Sequence, residues 1–81
     1  MTADEILHRI GELAREKLDI HRELRHEMRL VEDLALDSIR LLTLAMEVED
    51  RFRICLDEED EQGIVTVADL VDMVGRKLAA A

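Results

Sequence analysis

The sequence of 81 residues contains no proline, no tryptophan and no tyrosine, and its only aromatic residue is Phe52. Because β-strands favour aromatic and β-branched residues, this composition favours helices over sheets. Hydrophobic residues make up 48% of the chain, more than a disordered acidic segment carries, so we expect it to fold. A chain of this length has no room for a large catalytic cleft, and we expect one domain spanning residues 1–81.

Cysteine is nearly absent as well, since Cys55 stands alone, and this excludes an internal disulfide. Its neighbours Ile54 and Leu56 are apolar, so we predict a buried and unreactive thiol. The three histidines, at positions 8, 21 and 26, lack the spacing of a zinc site, and we predict no metal.

Basic residues are in the minority, with 11 lysines and arginines against 20 aspartates and glutamates, for a formal charge of −9. This charge repels nucleic acids and anionic membrane surfaces, and it favours partner proteins with basic surfaces. No apolar run reaches the length of a membrane helix, and the first residues lack the pattern of a signal peptide. We therefore expect a cytoplasmic protein that binds neither nucleic acid nor membrane.

Capping residues indicate three helix starts. Thr2 and Thr66 are each followed three positions later by an acidic residue, as in a capping box, and Asp37 and Ser38 are both favourable N-cap residues. Apolar residues recur at helical spacing after each start. The predicted helices cover about residues 3–17, 38–52 and 66–79, and a short helix is allowed near 58–63.

Residues 19–36 are harder to assign, because nothing in them forbids a helix and the first helix could extend through Glu27. As a loop they would be long for a domain of this size. Long loops are generally functional or packed by their own side chains. The apolar residues available for that packing are Leu24, Met28, Val31 and Leu34.

The predicted middle helix carries two apolar stripes. One stripe suits packing against the other helices and consists of Leu41, Leu44, Ala45, Val48 and Phe52. The other begins one residue after Ser38 and consists of Ile39, Leu42 and Met46. One packing contact cannot bury both stripes.

Periodicity leaves two explanations for the second stripe open. In the first, the long loop covers it. In the second, it is an exposed docking face, where a partner buries apolar surface while its basic residues meet an acidic rim. The acidic residues that flank the stripe are Glu47, Glu49 and Asp50.

The stretch around Ser38 resembles a known family. Residues 30–39 read LVEDLALDSI, which closely resembles the segment around the modified serine of acyl carrier proteins, typically Val-Glu-Asp-Leu-Gly-x-Asp-Ser-Leu. The resemblance continues through MEVEDRF at 46–52 and ICLDEE at 54–59, and it ends in IVTVADLV at 64–71, which is similar to the family's entry to its last helix. Several motifs in register are more specific than an isolated Asp-Ser pair.

This resemblance implies an all-α fold, a three- to four-helix bundle of the acyl carrier protein type with a long loop between the first and second helices. It also implies a carrier rather than an enzyme, acting in fatty acid, polyketide or other specialised biosynthesis. Ser38 would receive 4′-phosphopantetheine from coenzyme A, and acyl groups would travel as thioesters on the thiol of that arm. Asp37 would cap the helix or contribute to the surface that the transferase recognises.

The resemblance also implies a monomer and three kinds of partner. These are a phosphopantetheinyl transferase, an acyl- or aminoacyl-loading ligase or transferase, and synthase enzymes with basic docking patches.

The chain departs from the family pattern at Ala35, where glycine is usual, a mild change if the φ of this residue is negative. Arg40, Thr43 and Arg51 stand where housekeeping fatty-acid carriers tend to be acidic. The two arginines would weaken docking to basic patches, which indicates a dedicated pathway.

Two alternatives remain. An aminoacyl or peptidyl carrier would share the fold, and the aspartate before the serine distinguishes the two kinds of carrier only weakly. An unmodified interaction module would use the second stripe to bind a partner, while Ser38 serves as an ordinary N-cap. A serine hydrolase is disfavoured, because no Gly-x-Ser-x-Gly pattern surrounds Ser38.

Overall fold

The computed structural model describes residues 1–80 and consists of four α-helices. They are α1 (Ala3–Leu18), α2 (Ser38–Phe52), α3 (Glu58–Gln62) and α4 (Val67–Ala80). The described residues contain no β-strand, only an isolated antiparallel bridge between Arg29 and Thr66. The predicted all-α bundle with a long loop between its first two helices is therefore confirmed. Within residues 1–80, none of the helices is long and apolar enough to cross a membrane.

α1 ends at Leu18 because the next residue leaves the helical conformation. Asp19 has a φ of 56° and a ψ of 35°, in the left-handed region, and its N–H donates to the Ala14 carbonyl. A residue in this conformation closes a helix by satisfying one of its last carbonyls. The loop therefore starts at Asp19, and the helix does not extend through Glu27.

The loop between α1 and α2 is packed against the core by its own side chains. Its buried residues are Ile20, Leu24, Leu30, Leu34 and Leu36. Met28 is half-buried, whereas Val31, which we expected to pack, is 58% exposed. Except for Val31, the large apolar residues of the loop pack against the core. The loop is thus an ordered part of the fold and not a flexible connector.

Backbone hydrogen bonds tie this loop to the start of α4. The Leu30 N–H donates to the Val65 carbonyl at 3.0 Å, and the Val67 N–H donates to the Met28 carbonyl at 2.9 Å. The first N–H groups of a helix have no partner within the helix, so they need acceptors from elsewhere. Here the loop supplies two of them, since the Ala68 N–H also donates to the His26 carbonyl at 2.9 Å, and this fixes α4 relative to the segment that leads into α2.

The centre of the core lies where α1 packs against α2 and α4. The most deeply buried large side chains come from these three helices and from the loop: Ile6, Ile10, Leu13, Leu36, Val48, Val67, Leu70, Met73 and Val74. Each contributes roughly 1.5–3 kcal/mol by leaving water. In the first stripe of α2, Leu44, Val48 and Phe52 are buried, whereas Leu41 and Ala45 are half-buried.

The prediction of a buried Cys55 is wrong, because the thiol is exposed. α2 ends at Phe52, where Arg53, with a φ of 55°, is the C-cap, and the chain then runs without helix to α3. Along this segment Ile54 is buried, Cys55 is exposed and Leu56 is half-buried. The flanking apolar residues therefore turn toward the core, and the cysteine between them turns out.

Ala35 adopts the left-handed conformation, with a φ of 56°. A side chain at such a φ costs roughly 1–2 kcal/mol, because Cβ lies too close to the following carbonyl oxygen. We predict that Ala35→Gly raises the free energy of unfolding by about 1 kcal/mol, which for a chain of this size raises Tm by about 4–8 °C. Thermal and urea unfolding measure this change.

Ala45→Gly is the matched control, since Ala45 lies in the middle of α2 and its φ is not positive. Glycine in a helix interior is less stable than alanine by about 1 kcal/mol, so this variant should lose stability. A lower Tm for Ala35→Gly would contradict the role assigned to the left-handed residue.

Candidate functional site

Ser38 is the only serine of the chain, and it is the first residue of α2. The residue before it, Asp37, is the N-cap, with a φ of −88° and a ψ of −179°. The Asp37 Oδ1 atom accepts a hydrogen bond of 2.9 Å from the Arg40 N–H. This bond satisfies one of the free N–H groups at the helix start.

The interpretation of Ser38 as an ordinary N-cap is therefore wrong, because Asp37 caps the helix. Ser38 has helical geometry one position further on, where its hydroxyl is not needed to start the helix. Its side chain is exposed. The structure thus places a solvent-accessible hydroxyl at the N-terminus of a helix of 15 residues.

The electrostatic surroundings of Ser38 suit an anion. The helix dipole places partial positive charge at the start of α2, where backbone N–H groups point outward. The first turn of α2 contains no acidic residue, so the carboxylate of Asp37 before it is the nearest acidic side chain along this helix. A phosphodiester on Ser38 would therefore lie in a position where a helix stabilises negative charge.

An apolar groove of about 410 Å³ opens beside Ser38. It lies between α2, α4, the loop before α2, the end of α3 and the segment that follows α3. Seven apolar residues line it together with two exposed polar residues, Ser38 and Glu61: the apolar ones are Leu30, Leu41, Leu42, Leu44, Ala45, Ile64 and Leu70. The groove offers an apolar surface to a group attached at Ser38.

Hydrogen bonds at the start of α4 order the residues just before this helix, next to the groove. The Asp69 carboxylate accepts from the N–H groups of Thr66 and Val65, both at 3.0 Å, and the Thr66 hydroxyl accepts from the Asp69 N–H at 3.1 Å. The backbone hydrogen bonds from Thr66 and Val65 lower the pKa of Asp69 below its usual value. The predicted pairing of Thr66 with Asp69 thus caps α4 two residues after Ile64, which lines the groove.

The second stripe of α2 is exposed, and the loop does not cover it. Ile39 is 76% exposed, Leu42 is 55% exposed and Met46 is 59% exposed. The loop residues that were candidates for covering this stripe are packed into the core or point elsewhere. An apolar strip of this kind beside an exposed hydroxyl is a candidate for contact with a partner.

The acidic residues predicted to flank the strip differ in their surroundings. Asp50 is exposed, whereas Glu47 and Glu49 are half-buried. The Glu49 Oε2 atom accepts from the Leu56 N–H at 2.9 Å, so this carboxylate also orders the chain after α2. Asp50 is therefore the most accessible of the three.

The arginines of α2 turn toward α1 and away from the exposed strip. The Arg40 guanidinium donates to the carbonyl of Leu18 at the end of α1, where the helix dipole favours a cation. Arg51 pairs with Glu16 of α1, with Nη2 and Oε2 3.2 Å apart. Both charges therefore bind α2 to α1, and the expectation of a dedicated pathway stays a prediction.

The sequence did not reveal every residue of the site. Leu30 and Ile64 lie in segments outside the helices, and long-range contact alone brings them to the groove beside Ser38. The bond from Arg40 to Leu18 also joins distant residues, and no local pattern indicates it. Leu30 and Ile64 lie within the two stretches that carry the family resemblance, at 30–39 and 64–71. That resemblance indicates similarity, but it does not show that the two side chains meet beside Ser38.

The capping geometry separates the stability effects of two neighbouring residues. We predict that Asp37→Ala lowers the free energy of unfolding by about 1 kcal/mol, because it removes the N-cap of α2. Ser38→Ala should change it by no more than about 0.5 kcal/mol, as at other exposed positions without a structural bond. Urea unfolding of both variants measures the difference, and a larger loss for Ser38→Ala would contradict this assignment.

Comparison with known proteins gives one consistent family. A family model described as "Phosphopantetheine attachment site" matches residues 8–74. An acyl carrier protein from Exiguobacterium sp. is 35% identical over 80 residues, which cover 96% of this chain and 100% of that protein. An acyl carrier protein from Thermotoga maritima is 33% identical over 76 residues, which cover 93% of this chain and 94% of that protein.

Solved structures agree with this comparison. The crystal structure of the Thermotoga maritima acyl carrier protein matches with a TM-score of 0.85 at 31% identity, covering 96% of this chain and 92% of that one. The solution structure of a holo acyl carrier protein from Geobacter metallireducens matches with a TM-score of 0.82 at 26% identity, covering 93% of this chain and 87% of that one.

Proposed function

Since this chain belongs to the acyl carrier protein family, for which 4′-phosphopantetheine is the covalent cofactor, we propose that Ser38 is its attachment site and that the protein carries acyl groups. The observation that carries this proposal is the exposed hydroxyl of Ser38 at the start of α2, left free because Asp37 supplies the cap. On this proposal residues 1–81 form a single carrier domain. It acts as a cytoplasmic monomer in fatty acid, polyketide or other specialised biosynthesis.

The residues around Ser38 fit the group. The phosphate would lie at the N-terminus of α2, which stabilises an anion, and the apolar groove of about 410 Å³ begins at the same residue. When attached, the arm supplies a thiol that holds an acyl group as a thioester. The chain's own residues hold the attachment point at a fixed helix start and offer apolar surface beside it.

The attachment reaction is supplied by a partner enzyme, a phosphopantetheinyl transferase. The Ser38 oxygen forms a bond to the phosphorus of the phosphopantetheine unit of coenzyme A and loses its proton. The phosphoanhydride bond of coenzyme A breaks, and the nucleotide part leaves. In this proposal the chain is a substrate and a carrier, and it performs no catalysis of its own.

An acyl cargo suits the groove better than an aminoacyl cargo. Its lining is almost entirely aliphatic, with Glu61 as the one charged residue. Burying the ammonium group of an aminoacyl thioester among the seven apolar side chains would carry a large desolvation cost, and pairing with Glu61, which is exposed to solvent, would offset little of it. The groove lining therefore favours a carrier of acyl chains over an aminoacyl or peptidyl carrier.

We also propose that the exposed strip of Ile39, Leu42 and Met46 is the surface that partner enzymes bind. Loading ligases or transferases and synthases would bury this strip against apolar side chains. Basic residues at the edge of the partner's surface would meet Glu47, Glu49 and Asp50. The thioether of Met46 is flexible, which helps one surface to fit several partners.

Attachment at Ser38 is tested by intact mass. The unmodified protein, incubated with coenzyme A, magnesium and a broad-specificity phosphopantetheinyl transferase, should gain the mass of one phosphopantetheine. Ser38→Ala should gain none, although it keeps its helical circular dichroism spectrum. No gain with several different transferases would favour an unmodified interaction module, and a gain by Ser38→Ala would place the group elsewhere.

The docking strip is tested by the kinetics of the same reaction. Leu42→Ser and Met46→Ser should each raise the KM for the carrier about tenfold with little change in kcat, because each removes apolar surface that the partner buries. Cys55→Ser is the control at an exposed position outside the strip. An unchanged KM for both strip variants would contradict the proposed surface.

A further inference from the structure

α3 is the least anchored helix of the bundle. It has five residues, Glu58–Gln62, and none of them is buried. Its start is stabilised by a capping box, in which the Asp57 Oδ1 atom accepts from the Asp60 N–H at 2.8 Å and the Asp60 Oδ2 atom accepts from the Asp57 N–H at 3.2 Å. These bonds are local, so they shape the helix without fixing it to the rest of the fold.

One ion pair connects α3 to the bundle. Lys77 of α4 and Asp60 of α3 approach to 2.8 Å between Nζ and Oδ2, and no other salt bridge joins α3 to another helix within residues 1–80. The side chains are only 34% and 19% exposed, respectively, so solvent screens this pair less than an open surface pair. The hydrogen bond between the two groups lowers the pKa of Asp60 and raises the pKa of Lys77, so each group stabilises the charged form of the other.

The position of α3 affects the groove beside Ser38. Glu61 belongs to α3, and Ile64 lies two residues after the end of this helix. Both residues line the groove. Across from them lie Leu41 and Leu42 of α2. A displacement of α3 would therefore move one wall of the groove, while the other walls stay fixed by the buried core.

We propose that the Asp60–Lys77 ion pair is a latch, which holds α3 as one wall of the groove and thereby controls how readily an apolar group beside Ser38 leaves it. The identity of that group, an acyl chain, rests on the proposed function. The latch itself is a property of the unmodified protein. Opening the pair would free α3, because few other contacts hold that helix in place.

Lys77→Met removes the charge and keeps most of the aliphatic stem, so the packing of α4 is preserved. Hydrogen exchange followed by mass spectrometry should then show amide exchange in residues 57–64 faster by roughly two- to fivefold, as expected for loss of a partly shielded ion pair. Exchange in α1 should be unchanged. Lys77→Arg, which retains the cation, should restore slow exchange.

Arg76→Met is the matched control. It removes one positive charge from the neighbouring residue of the same helix, and Arg76 is not ion-paired within the described part of the chain. Its exchange in residues 57–64 should equal that of the parent protein. Unchanged exchange in Lys77→Met, or equal acceleration in both variants, would overturn the latch.

The effect on the groove is measured with a neutral fluorescent probe, N-phenyl-1-naphthylamine, in stopped-flow dissociation from the unmodified protein. The latch predicts that Lys77→Met releases the probe roughly two- to fivefold faster, in proportion to the faster opening of α3. Faster amide exchange with an unchanged release rate would show that α3 is not a wall of the groove, and a parent protein that binds no probe would overturn the role of the groove.

None of these outcomes depends on phosphopantetheine, so failure of the latch and failure of attachment at Ser38 are distinguished by the mass measurement above.

Discussion

The hydrogen bond between the Asp37 carboxylate and the Arg40 N–H determines where α2 begins, and the candidate site depends on that position. It places Ser38 at the first helical residue, with its hydroxyl exposed and its backbone near the positive end of the helix dipole. The same starting point directs Ile39, Leu42 and Met46 to solvent and Leu44 and Val48 to the core, because positions along a helix follow from its first residue.

The two sides of α2 differ in their contacts and in their charge. On the side facing α1, Arg40 reaches the Leu18 carbonyl and Arg51 pairs with Glu16, so positive charges are used within the fold. On the exposed side, the surface is apolar with acidic neighbours, of which Asp50 is the most accessible. The exposed strip of this negatively charged protein is therefore not the side to which Arg40 and Arg51 turn.

Local patterns in the sequence predicted the helices and the position of Ser38, because capping residues and apolar spacing act over a few residues. The Thr66–Asp69 pairing is an example, since its hydrogen bonds join residues three positions apart. The same reasoning failed for Cys55, whose exposure depends on how an irregular segment turns after Arg53, and for the direction of Arg40, whose partner lies 22 residues away. Local patterns also could not predict whether the loop covers the strip of α2. The position of the loop depends on the packing of its leucines into the core and on its backbone hydrogen bonds to α4, and both are long-range contacts.

The left-handed Ala35 lies two residues before the cap, so strain is present close to the site.

Attachment of phosphopantetheine to the Ser38 hydroxyl is tested most directly by fragmentation mass spectrometry of the protein purified from cells that naturally produce it. We predict a phosphopantetheine on the peptide containing Asp37 and Ser38, with fragment ions that place the added mass on the serine. The same mass on Thr43 or Cys55, or a fully unmodified peptide in cells that contain an active transferase, would contradict it.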